Sequence, residues 1–191
     1  MNPTTTPTAT PRPHPGDLDL GPWRAFLRAH ARVARRLDED LRQGHALSLQ
    51  EYETLLHLAE APERRLRMGR LADSLLLSKS GVTRLIDRLV EDGLVERTSC
   101  SSDARGAEAS LTGSGLARLR AAAPTHLEGI RDHFFGAINA ADLPAVERAL
   151  DSVADRLCGA GTRGHGAEVS AAAGCGDLVA EPTTGRTGAR A

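Results

Sequence analysis

From Ser78 to Gly93 the chain has little freedom in what it can form. Val82, Leu85, Ile86, Leu89 and Val90 recur at i, i+3, i+4, i+7 and i+8, one apolar stripe on a helix. Ser78 precedes the stripe as an N-cap and Gly93 follows it as a stop. The opposite side carries Lys79, Ser80, Thr83, Arg84 and Arg88. The stripe must pack inward, so that short, polar and basic side must look out. Such a side suits a major groove, where hydroxyl and guanidinium groups meet base edges and a helix N-terminus meets phosphate.

The preceding segment places Leu71, Ala72 and Leu75 on one inner side, with Ser74, Leu76 and Leu77 entering a turn. Two helices joined by a few residues outline a helix-turn-helix. Periodicity alone leaves an ordinary αα-hairpin open. A β-hairpin comes next in the chain: Leu94, Val95 and Glu96 begin a strand, and Ala107 to Leu111 returns, alternating weakly. The loop between, Ser99 to Gly106, is small and polar with one arginine near its tip. An arginine there is placed to enter a minor groove; the bland alternative is a surface hairpin.

Taken together, these residues resemble the winged helix-turn-helix core of the MarR family. The resemblance lies in Leu71-Ala72, the run Leu77 to Leu89, Asp92-Gly93-Leu94-Val95-Glu96-Arg97, Asp103-Ala104-Arg105 and Leu111-Thr112, in matching order and spacing. The Asp-x-Arg followed by Leu-Thr is the most specific part. With its flanking helices the resemblance covers Trp23 to Leu157. It implies that Ser78 to Arg88 is a recognition helix, that Arg105 is the wing residue at the minor groove, and that Asp103 braces the wing by pairing with a nearby arginine. The expected DNA-binding residues are therefore Ser78, Lys79, Ser80, Thr83, Arg84, Arg88, Asp103 and Arg105. Gly81 departs from the hydroxyl or alanine common at its place, which loosens the helix by up to about 1 kcal/mol relative to alanine.

The rest of the chain reads as support. At 191 residues it predicts one domain with dispensable ends. Aromatics make up only 3%, so the core must be built from leucine, valine and alanine. The net charge of -1 does not announce a nucleic-acid partner; what matters is where the cations sit. Residues 1–21, rich in Pro and Thr, read as a disordered arm, and residues 159–191 as a disordered tail. A domain over 22–158 lies between them, with the winged core at 48–112 and dimerisation helices at 22–44 and 113–158. The fold class is thus mainly α with a small β wing.

In the first helix, Trp23, Phe26, Leu27, His30, Val33, Ala34, Leu37 and Leu41 form a stripe. Ser48-Leu49-Gln50-Glu51 is a capping box opening the next helix. Ala61-Pro62 ends that helix, and Arg64 to Met68 predicts a short strand beside the wing. Thr112 caps a long helix that Pro124 should bend. Leu143, Val146, Leu150, Val153 and Leu157 then repeat at coiled-coil spacing. The two end helices cannot fully bury these stripes on so small a core; packing on their own core alone stays open, but the resemblance implies a homodimer, reading a pseudo-palindromic operator in double-stranded DNA.

The resemblance further implies a repressor released by a small aromatic or phenolic effector. Trp23, Phe26, His30, Tyr52 and His57 are candidate lining residues for its pocket. On the apolar stripe, His30 reads more readily as a hydrogen-bonded core histidine than as a ligand contact or pH switch. The three cysteines, Cys100, Cys158 and Cys175, fit neither a disulfide framework nor a zinc site. Two alternative functions stay open: thiol-based redox sensing through Cys100, near Arg97 and Arg105, or a winged-helix protein-interaction module without DNA binding. His126 and His133 share a helical face without a third ligand, so no metal is expected. No phosphate loop, G-x-S-x-G or H-E-x-x-H occurs, so no catalytic residues and no cofactor are expected. Without a membrane-length apolar run or a leader pattern, the chain is expected in the cytoplasm.

Overall fold

Local signals in the chain set most of the element boundaries. The computed structural model describes residues 18–99 and 107–161. The N-terminal arm up to Asp17, the loop holding Cys100, Asp103 and Arg105, and the tail from residue 162 lie outside the described residues. The chain divides into two compact units, one ending at Arg32 and one beginning at Val33.

Helix α1 spans Gly21–His45. Over its first half every residue from Gly21 to Arg32 is exposed. Trp23, Phe26 and His30 stack along it, with ring centroids 5.9 and 6.2 Å apart. His30 is thus an exposed stacking partner and not a core histidine, because the first half of its stripe is left uncovered by the described residues.

In the second unit, α2 (Leu49–Glu60) opens on the full capping box. The Ser48 hydroxyl accepts the Glu51 N–H at 3.2 Å, and the Glu51 carboxylate accepts the Ser48 N–H at 2.8 Å. Ala61 and Pro62 end this helix, and a short turn leads to β1 (Arg65–Arg67), α3 (Met68–Ser74) and α4 (Lys79–Glu91). Ser78 caps α4 through its hydroxyl, which accepts the Gly81 N–H. Gly93, at φ +70°, takes the left-handed turn that ends it. Strands β2 (Val95–Ser99) and β3 (Ala107–Leu111) come after it. The sheet is antiparallel in the order β1-β3-β2, with Leu66 opposite Ala109 and Arg97 opposite Ala109 on the other side.

The core of this unit joins α1, α2, α3, α4, the sheet and α5. Leu41, Tyr52, Leu55, Leu71, Ile86 and Leu89 are its fully buried centre. Burying each large aliphatic side chain contributes roughly 1.5–3 kcal/mol, and here leucine supplies most of it, as an aromatic-poor chain requires. Val90 falls outside this set: it is 37% exposed, at the edge of the α4 stripe.

Helix α5 (Gly113–His133) is continuous through Pro124. Thr112 fastens its start to the end of α4, with its hydroxyl 2.8 Å from the Gly93 carbonyl and accepting the Gly115 N–H at 2.9 Å. Gly115 permits this close approach, since a Cβ there would overlap the Leu94 carbonyl and lie 2.8 Å from Leu111. Helix α6 (Leu143–Gly161) runs three residues beyond the expected domain end, and Leu150, Val153 and Leu157 on it are exposed.

Candidate nucleic-acid interface

Helix α4 has one side buried to completion. Val82, Leu85, Ile86 and Leu89 are at most 2% exposed. That fixes the rotation of the helix, so Lys79, Ser80, Thr83 and Arg84 are exposed on the far side. Not all of their polar groups are free. The Ser78 hydroxyl is the cap of α4 and lies 3.2 Å from the Ser80 hydroxyl. The Thr83 hydroxyl donates to the Lys79 carbonyl at 2.9 Å, so it has only acceptor capacity and its methyl left to offer. Lys79 and Arg84 form no ion pair among the described residues.

The cations of this side without an ion pair among the described residues, Lys79 and Arg84, sit in the first two turns, where the helix dipole adds to them. Further along the same side come Asp87 and Glu91. Gly81, the departure noted in the sequence, sits beneath the cap: a Cβ there would stand 3.2 Å from the Ser78 hydroxyl.

Each flank of α4 is held by an arginine pair. On the wing side, Arg97 of β2 meets the Asp87 carboxylate at 2.8 Å and donates to the Thr83 carbonyl at 3.2 Å. On the other side, Arg88 meets Glu51 of α2 at 3.3 Å. Burial alone would raise the Glu51 carboxyl, but the Ser48 N–H and hydroxyl and the Arg88 guanidinium together hold it below the ordinary glutamate range. Arg88, expected among the outward residues, is exposed and also pairs with Glu51 of α2. Arg97, Asp87 and Glu51 are the residues sequence reasoning missed here. Only the capping box drew attention to Glu51, and nothing in helical or strand spacing joins Asp87 to Arg97.

A cleft of about 440 Å³ opens beside α4, lined by Met68, Gly69, Lys79, Thr83, Arg97 and Ala107. A second, of about 420 Å³, lies between the C-terminal part of α1 and α5 and includes Asp40, Glu128, Asp132 and His133. Neither is lined by the five residues expected around an effector. Trp23, Phe26 and His30 are exposed on α1, His57 is half-buried, and Tyr52 is buried outright with its ring 4.4 Å from His126. Burial pushes the His126 imidazole below its ordinary pKa. His133, the other histidine of that face, pairs with Asp40 at 2.8 Å. Among the described residues no three metal-ligating side chains come together. Asp103, Arg105 and Cys100 lie outside the described residues, so the wing-tip expectations have no structural counterpart here.

Known proteins are similar to this chain in sequence and fold. A family model described as the MarR family matches residues 46–106. The HTH-type transcriptional repressor YetL of Bacillus subtilis (strain 168) is 30% identical over 116 residues, 60% of this chain and 70% of its own. AbsC, a MarR family transcriptional regulator from Streptomyces coelicolor, superposes with a TM-score of 0.67 at 36% identity, over 75% of this chain and 96% of that one. Sco3205, a MarR family transcriptional regulator from the same organism solved in complex with DNA, gives 0.65 at 32% identity, over 71% and 88%.

Proposed function

This chain belongs to the MarR family of transcriptional regulators, and on that premise we propose that it is a dimeric repressor that binds double-stranded DNA with the first two turns of α4 in a major groove. Members of this family regulate transcription and are not enzymes. One observation carries the DNA reading: α4 is pinned by a fully buried face while Ser80, Lys79 and Arg84 stand exposed opposite it, the two cations in no ion pair among the described residues. Two features of relatives support it, since Sco3205 was solved with DNA and YetL is named a repressor.

Self-association is inferred from uncovered apolar surface. Trp23, Phe26 and Leu27 on α1 are 56, 44 and 44% exposed. Leu150, Val153 and Leu157 leave a similar stripe on α6. Contiguous apolar stripes of this kind mark interaction surfaces, and a second copy of the chain supplies matching ones. A two-fold dimer presents two α4 helices to a pseudo-palindromic operator and blocks transcription by occupying it. Release by a small aromatic or phenolic ligand completes the reading. On this reading the protein works at genomic DNA in the cytoplasm; no helix among the described residues is long and apolar enough to cross a membrane.

The test is direct. Duplexes are selected from a random pool, and affinities are measured at matched salt for the parent, Arg84→Ala and Arg105→Ala. An arginine reading a base edge is worth about 1–3 kcal/mol, so Arg84→Ala should weaken binding by roughly tenfold or more with the fold intact. Two variants that bind as tightly as the parent would refute this choice of surface. Screening the complex with small aromatic acids and phenols tests the release step.

A further inference from the structure

Asp87 is out of place on a helix side that faces phosphates. It follows Thr83 by one turn and lies on the exposed side with Ser80 and Arg84. A carboxylate there repels a duplex, so by charge alone its removal should tighten binding. Its surroundings indicate another role. One nitrogen of the Arg97 guanidinium meets the Asp87 carboxylate at 2.8 Å, and the other donates to the Thr83 main-chain carbonyl at 3.2 Å. A single planar group thus grips α4 at two points a turn apart.

The grip has a firm base. Arg97 shares its strand side with Val95, which is 1% exposed, and its cross-strand partner Ala109 is fully buried. The backbone beneath Arg97 is therefore held by the core, while its side chain reaches past the core's edge to α4.

We propose that Asp87 and Arg97 are positioning residues for DNA recognition: together they lock the groove-facing turns of α4 to the root of the wing, so that helix and wing approach a duplex as one body. The inference rests on the DNA-binding reading above. Neither side chain needs to touch DNA. The guanidinium is already engaged at both ends, and what it fixes is the direction in which Lys79, Ser80 and Arg84 point. Exposed ion pairs contribute little to folding, so this pair can be broken without unfolding the chain.

The experiment compares two probes: the duplex that the wild-type chain selects from a random pool, and a scrambled duplex of the same length and composition. Asp87→Asn and Arg97→Ala are each expected to weaken binding to the selected duplex about tenfold. Binding to the scrambled duplex should stay unchanged, and the salt slope of the selected complex should not move. The double variant should be no weaker than either single one, and the reversed pair, Asp87→Arg with Arg97→Asp, should recover part of the loss. A merely structural role would lower both affinities together with the melting temperature, and that result overturns the proposal. Tighter binding of Asp87→Asn to both duplexes also overturns it, because charge repulsion would then be the whole effect. A fall of about one in the salt slope for Arg97→Ala makes Arg97 a phosphate contact instead. A wild-type chain that retains no duplex from the pool refutes the DNA reading itself, and this inference with it.

Discussion

Helix α4 and the first half of α1 begin from the same kind of pattern and end differently. Both carry apolar residues three and four apart. In α4, Ile86 and Leu89 are fully buried, and charged pairs hold both flanks. In α1, Trp23 is 56% exposed although it is the chain's only tryptophan. Helical spacing specifies a helix and the side that wants cover. It does not specify whether the cover comes from the same chain. One helix is complete within its own unit, and the other, on the dimer reading, is half of an interface.

The contrast can be broken most forcefully at Gly115, which belongs to the self-contained side. Gly115→Ala drives a Cβ into the Leu94 carbonyl, and backbone cannot yield as a side chain does. A loss of about 3 kcal/mol or more is expected in urea denaturation. A variant as stable as the parent would mean that the α5 start and the end of α4 are less tightly fitted than their distances indicate.

Next comes the incomplete side. Trp23→Ala should leave the melting of the second unit unchanged at matched association state and weaken self-association by about 2 kcal/mol, roughly 30-fold in Kd. Sedimentation at several concentrations reads this. Unchanged association would remove α1 from the interface and undo the comparison.

Leu76 sharpens it on a smaller scale. This residue, in the turn before α4, is 92% exposed and sits at φ +52°. A side chain in that region costs about 1–2 kcal/mol, while glycine adds about 0.5–1 kcal/mol of unfolded-state entropy. So exposed a leucine buries almost nothing that glycine would forfeit. Leu76→Gly should therefore stabilise the chain by about 0.5–1 kcal/mol in thermal denaturation.

The smallest effect concerns acid. Because Glu51 is held below its ordinary range in the folded chain, its contribution is fully present above that range and is lost as pH falls through the lowered value. Glu51→Gln retains a capping residue and removes the titration. Its stability should fall less steeply than the parent's on acidification, and equal slopes would show that Glu51 is not held down.

Much of the interface was legible because it is local. Caps act over three residues and stripes over four, so Ser48, Ser78, Thr112 and the buried side of α4 can be read from spacing. The strand at Arg65–Arg67 was legible too, as a short segment that the sheet could use. What escaped depends on distant parts of the chain. Glu51 and Arg88 are 37 residues apart, and no periodicity pairs them. Arg97 and Thr83 meet only because β2 folds back along α4. Val90 shows the limit of a stripe: the spacing includes it, but it stands at the edge of the buried side, 37% exposed. His30 falls on an apolar stripe without being buried, since the residue pattern cannot say what covers the first half of α1.

The strand order has a consequence for how the protein is made. Strand β3 lies between β1 and β2, yet it is the last of the three to be synthesised. Until Leu111 has cleared the ribosome, neither earlier strand has a neighbour to hydrogen-bond. The helices up to α4 can collapse beforehand, because their contacts are close in sequence. Thr112, which ties the following helix to the Gly93 and Leu94 carbonyls, emerges immediately afterward. Birth of the sheet and anchoring of the helix after it thus follow one another closely as the chain emerges, and a nascent chain stalled before Ala107 holds α1 to α4 without the sheet and without α5.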